Sequence, residues 1–570
     1  MKFSRYFFSF IISFWSIGYC QFSFSGALTT NYGQSKNDFN IQETLIDING
    51  NWNNWVGWIQ LEHSDPPELG RSLKGIRKFR LDYSSGDFTI KLGDMYEFWG
   101  RGLMVNMVDD QAIDLDTGVR GGLLNWTNDL VQIDLFGGKQ NIWRSSNEVF
   151  GFNDRIPNYE VDHTLYGGRI AANYHQWHGA VQYMQVNEDH LLPRIDTIEK
   201  VGHELIGVNV EYYGSTTDFG FEYVKKDTKG FGFYGLINIY IGDWSIGTSY
   251  KNYHFADLSP DDRWDFVNII GGALTIQQMP TLFEQHATRL LGRITHQIDY
   301  NDEIGFDLRL KGPLFHNTIF SFSYASSSRH KEWYLDNNWN WIMGSHLLPR
   351  LLPSSKPVFN AFREMYAELE GYLLNGNLHY NIGTGLTNDV TDLYLNRYTV
   401  SNRSYSYESL SATTLPALFT YTINQRFSLE LKYEYQELKK GINTYSELPT
   451  NMPSFTSNFL KDKQINRIIS VGLGRSPLWS ISLTMDYANT EERIIVDEVR
   501  NKNAIEEILE NLWDTSLTWA NIELSYNISS NHRLTVMYGS QRGGVLCSNG
   551  VCRYVQPFEN GFKIGLIAVL

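Results

Sequence analysis

The chain is 570 residues long and mildly acidic, with 48 Lys+Arg against 63 Asp+Glu and a net charge of −15. That balance offers no basic face for phosphates, which argues against a nucleic-acid partner, and no polybasic patch for anionic lipid headgroups. A mean hydropathy of −0.33 excludes a bundle of apolar membrane helices, whereas 15% aromatic residues with 48 Gly and only 15 Pro suit a bending sheet at a membrane boundary.

Residues 1–20 read as a signal peptide. Lys2 and Arg5 form the charged start, 7–17 is the apolar stretch, and Gly18 and Cys20 supply small side chains before a cut ahead of Gln21. The alternative is a lipoprotein signal with Cys20 lipidated, against which stands the bulky Tyr19. Beyond Gln21 no apolar run is long enough to cross a bilayer as a helix, so residues 21–570 are either soluble or cross as strands in one domain.

Alternation favours strands. Gly214-Ser215 separates an alternating run at 208–213 from another at 219–224, and Gly242-Asp243 separates 233–241 from 244–250. Ile304, Phe306, Leu308 and Leu310 interleave with Gly305, Asp307 and Arg309. The pattern is cleanest at 427–436, where Phe427, Leu429, Leu431, Tyr433 and Tyr435 alternate with Ser428, Glu430, Lys432, Glu434 and Gln436. It recurs at Ile481, Leu483, Met485 and Tyr487, and at Leu534, Val536 and Tyr538. Longer polar segments fall at 140–160, 188–202, 253–285, 327–365, 386–402, 437–464 and 488–515. Short turns on one side and long loops on the other predict an all-β transmembrane antiparallel barrel of roughly 22–28 strands with long external loops. Phe562, Ile564, Leu566 and Leu570 share one parity in the last strand, which looks like a signal for barrel-assembly machinery although an aromatic ending is commoner. A soluble sandwich or propeller is the rival, and no fixed repeat period supports it. One segment breaks the two-residue rule: 504–513 carries apolar groups at three- and four-residue spacing, an amphipathic helix capping a loop or docking a partner.

The stretch 93–122 loses its alternation after Tyr96 and gathers glycines, aromatics and charges: Asp94, Glu97, Trp99, Arg101, Asp109, Asp110, Asp114, Asp116 and Arg120. Irregular backbone at membrane depth is tolerated only where it is buried in protein or lines water, so this segment is a candidate lumen lining or constriction in which carboxylates pair with arginines. An ordinary surface loop is the second reading. An active site is the third, because Asp116-Thr117-Gly118 matches the aspartic-protease triplet, but no second copy supplies the partner carboxylate. Calcium at Asp114 and Asp116 lacks the Asp-Gly spacing of a calcium loop. No zinc-peptidase helix, nucleophile elbow or phosphate loop is present, and neither a metal nor a cofactor is expected.

Cys547 and Cys552 flank Asn549-Gly550, and in an oxidising compartment a disulfide-closed hairpin tip is the natural reading.

Three stretches resemble an uncharacterised family of large outer-membrane barrels typical of the Bacteroidetes group. The first runs from Gly93 through Tyr96-Glu97 and Gly100-Arg101-Gly102-Leu103 to Arg120-Gly121-Gly122. The second is Gln278-Met279-Pro280-Thr281-Leu282-Phe283-Glu284-Gln285-His286, and the third is Gln541-Arg542-Gly543-Gly544 through Cys547 to Cys552-Arg553. The resemblance implies the fold and the location, and no activity.

The expected function is a non-enzymatic barrel in the outer membrane, either a channel or a scaffold for export or surface assembly. Its partners would be membrane lipid and envelope or secretion-machinery proteins. No TonB box or plug domain is recognisable ahead of the first strand, which disfavours an energised transporter. The alternatives are an outer-membrane hydrolase and a surface polysaccharide-binding barrel whose Trp333, Trp339 and Trp341 could stack on sugars.

Overall fold

The computed structural model describes the chain from Phe22 to Leu570, apart from residues 145–148, 152–155, 193–196, 260–271, 283–285, 287, 316, 336–339, 345–349, 395–403, 447–462, 490–500, 514–516 and 549–550. The stretch read as a signal peptide, Cys20 included, lies outside the described residues.

Twenty-four strands form one antiparallel sheet closed into a barrel. In chain order they are β1 (Phe22–Gln34), β2 (Asn40–Trp52), β3 (Trp55–Ser64), β4 (Lys74–Ser85), β5 (Phe88–Met95), β6 (Val119–Thr127), β7 (Val131–Arg144) and β8 (Tyr159–Tyr174). Next come β9 (Trp177–Leu192), β10 (Thr197–Tyr213), β11 (Thr217–Lys226), β12 (Gly230–Ile241), β13 (Trp244–His254), β14 (Asp302–Phe315), β15 (Thr318–Ser328) and β16 (Phe362–Leu373). The sheet finishes with β17 (Leu378–Tyr394), β18 (Ser404–Thr422), β19 (Phe427–Ser446), β20 (Gln464–Arg475), β21 (Trp479–Ala488), β22 (Thr518–Ser529), β23 (His532–Gln541) and β24 (Phe558–Val569). Each strand pairs with the next, and β24 pairs back onto β1 with Ala27 opposite Val569 and Gln34 opposite Phe562. Closure leaves no edge of unpaired N–H and C=O groups, which hydrocarbon would not tolerate.

The faces are inverted relative to a soluble sheet. In β19, Leu429, Leu431 and Tyr433 face outward while Glu434 and Gln436 are buried inside. In β21, Ile481 and Leu483 point out and Asp486 points in, and in β14 Leu308 is exposed and Asp307 buried. One rim is tight, its turns falling at 53–54, 86–87, 128–130, 175–176, 242–243 and 530–531 among others. Exposed aromatics crowd it: Trp52, Trp55, Tyr174, Trp177, Tyr240, Tyr372, Tyr421 and Tyr526. The Trp55 and Tyr83 rings lie 4.7 Å apart and those of Trp177 and Tyr212 4.9 Å apart, so the girdle is continuous across strands. Rings with an apolar body and a polar tip settle at the headgroup level, and a closed barrel with such a girdle under an apolar band spans a bacterial outer membrane.

The opposite, external rim carries the long connections, including 96–118, 255–301, 329–361, 489–517 and 542–557. Two segments read as loops are largely strand. Residues 188–192 and 197–202 continue the ladder of β9 with β10, where Glu188 faces Val201 and Asp189 faces Lys200, and β17 extends through Tyr394. Above the membrane both faces of a strand meet water, so the hydrophobic alternation fades while the hydrogen-bond ladder goes on. The helix expected at 504–513 is present as α1 (Ala504–Trp513). Asn503 caps it, its side chain accepting from the N–H groups of Ile505 and Glu506 while Glu506 accepts from the Asn503 N–H at 3.0 Å.

Candidate functional site: segments folded into the lumen

Segment 96–118 leaves β5 and re-enters at β6, whose register places Gly121 opposite Gly93. At Gly93 the backbone has φ of +116°, and a Cβ there would stand 2.2 Å from the Phe79 carbonyl oxygen, so only glycine fits. Asp94 beside it accepts from the Phe79 N–H at 2.8 Å and takes both prongs of the Arg120 guanidinium at 2.9 and 3.0 Å. This clasp closes the neck of the loop.

Beyond the neck the chain turns inward. Trp99 is fully buried, edge-on to Phe136 with ring centroids 5.5 Å apart. Leu103, Met104 and Val105 follow it into a cluster with inward side chains of the wall β6–β13, among them Leu123, Leu165, Met184, Leu205, Val224 and Tyr253. At this turn Glu222, buried on β11, accepts from the backbone N–H groups of Arg101 at 2.5 Å and Leu103 at 3.4 Å. Gly100 adopts φ of +58°, and any Cβ would press on the Glu222 carboxylate at 2.9 Å. The Arg101 side chain reaches Glu211 at 2.8 Å, and Glu97 pairs with Lys91 at 2.9 Å.

The second half of the segment is charged. Lys78, buried on β4, bridges Asp109 and Asp116, the latter at 3.0 Å, and Arg77 reaches Asp109 at 3.2 Å. Asp116 also accepts from the Tyr96 hydroxyl at 2.9 Å and the Gly118 N–H at 3.0 Å. Burial opposes its ionisation, yet Lys78 and these hydrogen bonds hold its carboxyl below the usual range. Burial, then Asp116 and Asp109, push the Tyr96 phenol far above its ordinary value. Asp110 caps the short 3-10 turn Gln111–Ile113 by accepting from the Ala112 N–H at 3.0 Å. Burial pushes the Asp114 carboxyl up to about 6, against the pull of Arg553 and Arg77.

Two further segments meet this one. Residues 273–279 pack on it: Asn106 donates from its backbone N–H to the Ile276 carbonyl at 2.7 Å and from its side chain to the Gln278 carbonyl at 2.8 Å. Gln277 returns a hydrogen bond to the Leu103 carbonyl at 2.7 Å. Farther along, the short helix Arg289–Gly292 presents the N–H groups of Arg289 and Leu290 to Glu434 on β19, at 3.2 and 2.8 Å. The third segment is the hairpin Gly544–Ser548 with Val551–Val555, and its Arg553 donates to the Ile113 carbonyl at 3.2 Å. The three motif-bearing stretches, far apart in sequence, therefore converge inside the barrel. Cys547 lies opposite Cys552 in that ladder; their side chains are outside the described residues, and no disulfide joins cysteines among the described residues.

Two cavities share no lining residue. One of about 1060 Å³ opens among strand ends on the external side and is lined by Glu43, Glu62, Arg77, Asp94, Asp116 and Arg120, with Arg553. Another of about 660 Å³ lies towards the tight-turn side, lined by Tyr240, Arg309, Lys311, Glu368, Glu430 and Lys432. Asp114 and Asp116 do not converge with other ligating groups; among the described residues the one cluster with metal-like spacing is His254, Asp302 and His330. Trp333 is buried and Trp341 half-buried, while Trp339 lies outside the described residues.

Residues that sequence reasoning missed are mostly wall partners: Lys78, Glu222, Glu434 and Arg77. Lys78, Glu222 and Glu434 sit at ladder positions where parity says only that a side chain points inward, and Arg77 is the extra residue of a β-bulge between Ile76 and Lys78, which parity does not foresee. A charge at inward parity between apolar outward neighbours, as in Phe221-Glu222-Tyr223, was the available signal.

A family model described as a family of unknown function, DUF6029, matches residues 29–570. The chain belongs to that family. No curated protein matches its sequence. Among solved structures it is similar to the siderophore receptor PirA from Pseudomonas aeruginosa, at 9% identity and a TM-score of 0.44, covering 96% of this chain and 80% of that one. The copper transporter OprC overlays with 8% identity and a TM-score of 0.43, over 96% and 80% of the two chains. A mutant of the ferric enterobactin receptor from Pseudomonas aeruginosa, in complex with enterobactin, overlays with 10% identity and a TM-score of 0.44, over 96% and 81%. At these scores the likenesses carry nothing about function.

Proposed function

We propose that this barrel is a non-enzymatic outer-membrane channel whose lumen is constricted by its own inward segments, chiefly 93–122. The carrying observation is that Trp99, Leu103, Met104 and Val105 are fully buried against inward-facing wall residues, with one cavity on the external side and another towards the tight-turn side. The external cavity presents both signs of charge, Glu43, Glu62 and Asp94 against Arg77, Arg120 and Arg553, and suits a small polar or zwitterionic solute. The hydrolase reading is not favoured by Asp116, whose carboxylate is engaged by Lys78, Tyr96 and Gly118.

The test is single-channel conductance of purified, refolded protein in a planar bilayer, beside a variant in which 96–118 is replaced by a short Gly/Ser linker. Small or absent steps in the parent and large steady steps in the variant are expected. Silence in both, with strand content intact by circular dichroism, overturns the channel and leaves a sealed scaffold for envelope partners or surface polysaccharide.

A further inference from the structure

We propose that His254, Asp302 and His330 bind one divalent transition-metal ion, Zn²⁺ by chemistry, at the root of the second inward segment. His254 ends β13 and Asp302 begins β14, directly opposite each other in the ladder, so the pair brackets the whole 255–301 connection. His330 follows β15 by two residues and leads into the 329–361 connection. One ligand atom from each of the three lies within 4.8 Å of the others, and Asp302 and His330 are buried.

Proton counting points to a cation. His330 Nδ1 faces Asp302 Oδ1 at 2.7 Å and its Nε2 faces Asn252 Oδ1 at 2.9 Å. The Asn252 amide nitrogen is turned to the Tyr250 hydroxyl at 3.1 Å and the Arg350 carbonyl at 3.4 Å, so its oxygen is what His330 meets. His254 is placed alike, with Nδ1 at 3.3 Å from Asp302 Oδ1 and Nε2 at 3.2 Å from Asp257 Oδ1. Each imidazole thus lies between two acceptor oxygens, but a neutral imidazole carries one N–H. Once each Nε2–H is given to Asn252 or Asp257, two Nδ1 lone pairs and a carboxylate oxygen converge. Protons on both imidazoles would supply two positive charges at this point, and a single divalent ion supplies the same two while seating both Nδ1 lone pairs and the carboxylate oxygen on one centre.

The surroundings fit that ion. Histidines that ligate a metal donate their other N–H to a carboxylate or carbonyl oxygen, as both do here. Two imidazoles and a carboxylate suit zinc, whose ligand bonds of roughly 2.0–2.1 Å put tetrahedral ligand atoms about 3.3 Å apart, so the closest pair need open by only about half an ångström. The N–H groups of His330 and Lys331 donate to the two Asp302 oxygens at 3.3 and 3.2 Å and hold the carboxylate in place. His254 is half-buried and Asp257 exposed, which leaves a way in from the external rim. The bound ion would tie both ends of the 255–301 connection to the next external loop.

The experiment is Zn²⁺ titration by calorimetry of chelator-stripped, detergent-solubilised full-length protein, with Co²⁺ absorption as a report on ligand geometry. One ion per chain is expected, with a rise in the unfolding temperature on binding. His330→Gln and Asp302→Asn should abolish the Co²⁺ spectrum, while Asp257→Asn, which leaves the three ligands intact, should weaken binding by about 10- to 100-fold. No stoichiometric uptake by the parent, or uptake undiminished in Asp302→Asn and Asp257→Asn proteins that retain strand content by circular dichroism, overturns the site.

Discussion

Residues 96–107 and 108–118 belong to one continuous loop, yet opposite means hold them inside the barrel. The first half is dry: Trp99, Leu103, Met104 and Val105 fill the gap against β6–β13, and one buried carboxylate, Glu222, satisfies the backbone N–H groups that the turn exposes. The second half is polar: Asp109, Asp114 and Asp116 face Arg77, Lys78 and Arg553 around a cavity of about 1060 Å³. Apolar burial is strong and indifferent to pH or salt, whereas ion pairs beside a wet cavity are weaker and tunable. The loop therefore has a fixed anchor and an adjustable face.

That division can be broken one residue at a time. Trp99→Ala should have the largest effect, about 3–5 kcal/mol off the opening free energy of 99–107 in native-state hydrogen exchange, since it empties the centre of the dry half. An unchanged exchange rate would show that Trp99 is not the anchor. Glu222→Ala strands two buried N–H groups and should lower protection there by about 1–3 kcal/mol, with Glu222→Gln recovering part of it through its carbonyl.

Lys78→Met removes the cation shared by Asp109 and Asp116. Both carboxylates keep some solvent contact, so about 1–2 kcal/mol is expected, confined to 108–118 and reduced in high salt. Protection lost equally in both halves would show that the loop moves as one body.

A smaller effect comes from Asp114. Its carboxyl in the folded protein sits at about 6, above the ordinary 3.8, so folding takes up a proton between those values. The favourable contribution is therefore complete below the ordinary carboxylate range and is lost as pH rises through about 6. Protection of 108–118 should be greater at pH 5 than at pH 7.5, and Asp114→Asn should flatten that dependence.

Much of the fold was legible because a two-residue period is a property of the chain itself. In 427–436 alternation alone separates a lipid-facing row from an inward one, and the short turns mark where each hairpin ends. The inward loop was legible through a failure of the same rule, since 93–122 stops alternating and accumulates glycine and charge. Its members Asp94, Glu97, Trp99, Asp116 and Arg120 could be named, and Asp94 and Arg120 pair with each other within the segment. The wall partners could not be named: Phe136 reaches Trp99, and Lys78 reaches Asp116, only once the strands stand side by side.

The sequence by itself determined strand parity, the tight turns, the α1 helix, and the place where the chain leaves the wall, because each rests on neighbours a few residues apart. Only the tertiary structure decided that Glu222 and Glu434 face the backbone of segments over a hundred residues away, that three distant motifs meet in one lumen, and that His254, Asp302 and His330 share one point. Closing a ring of 24 strands brings inward-facing side chains together across the lumen, and no local pattern records which of them will meet.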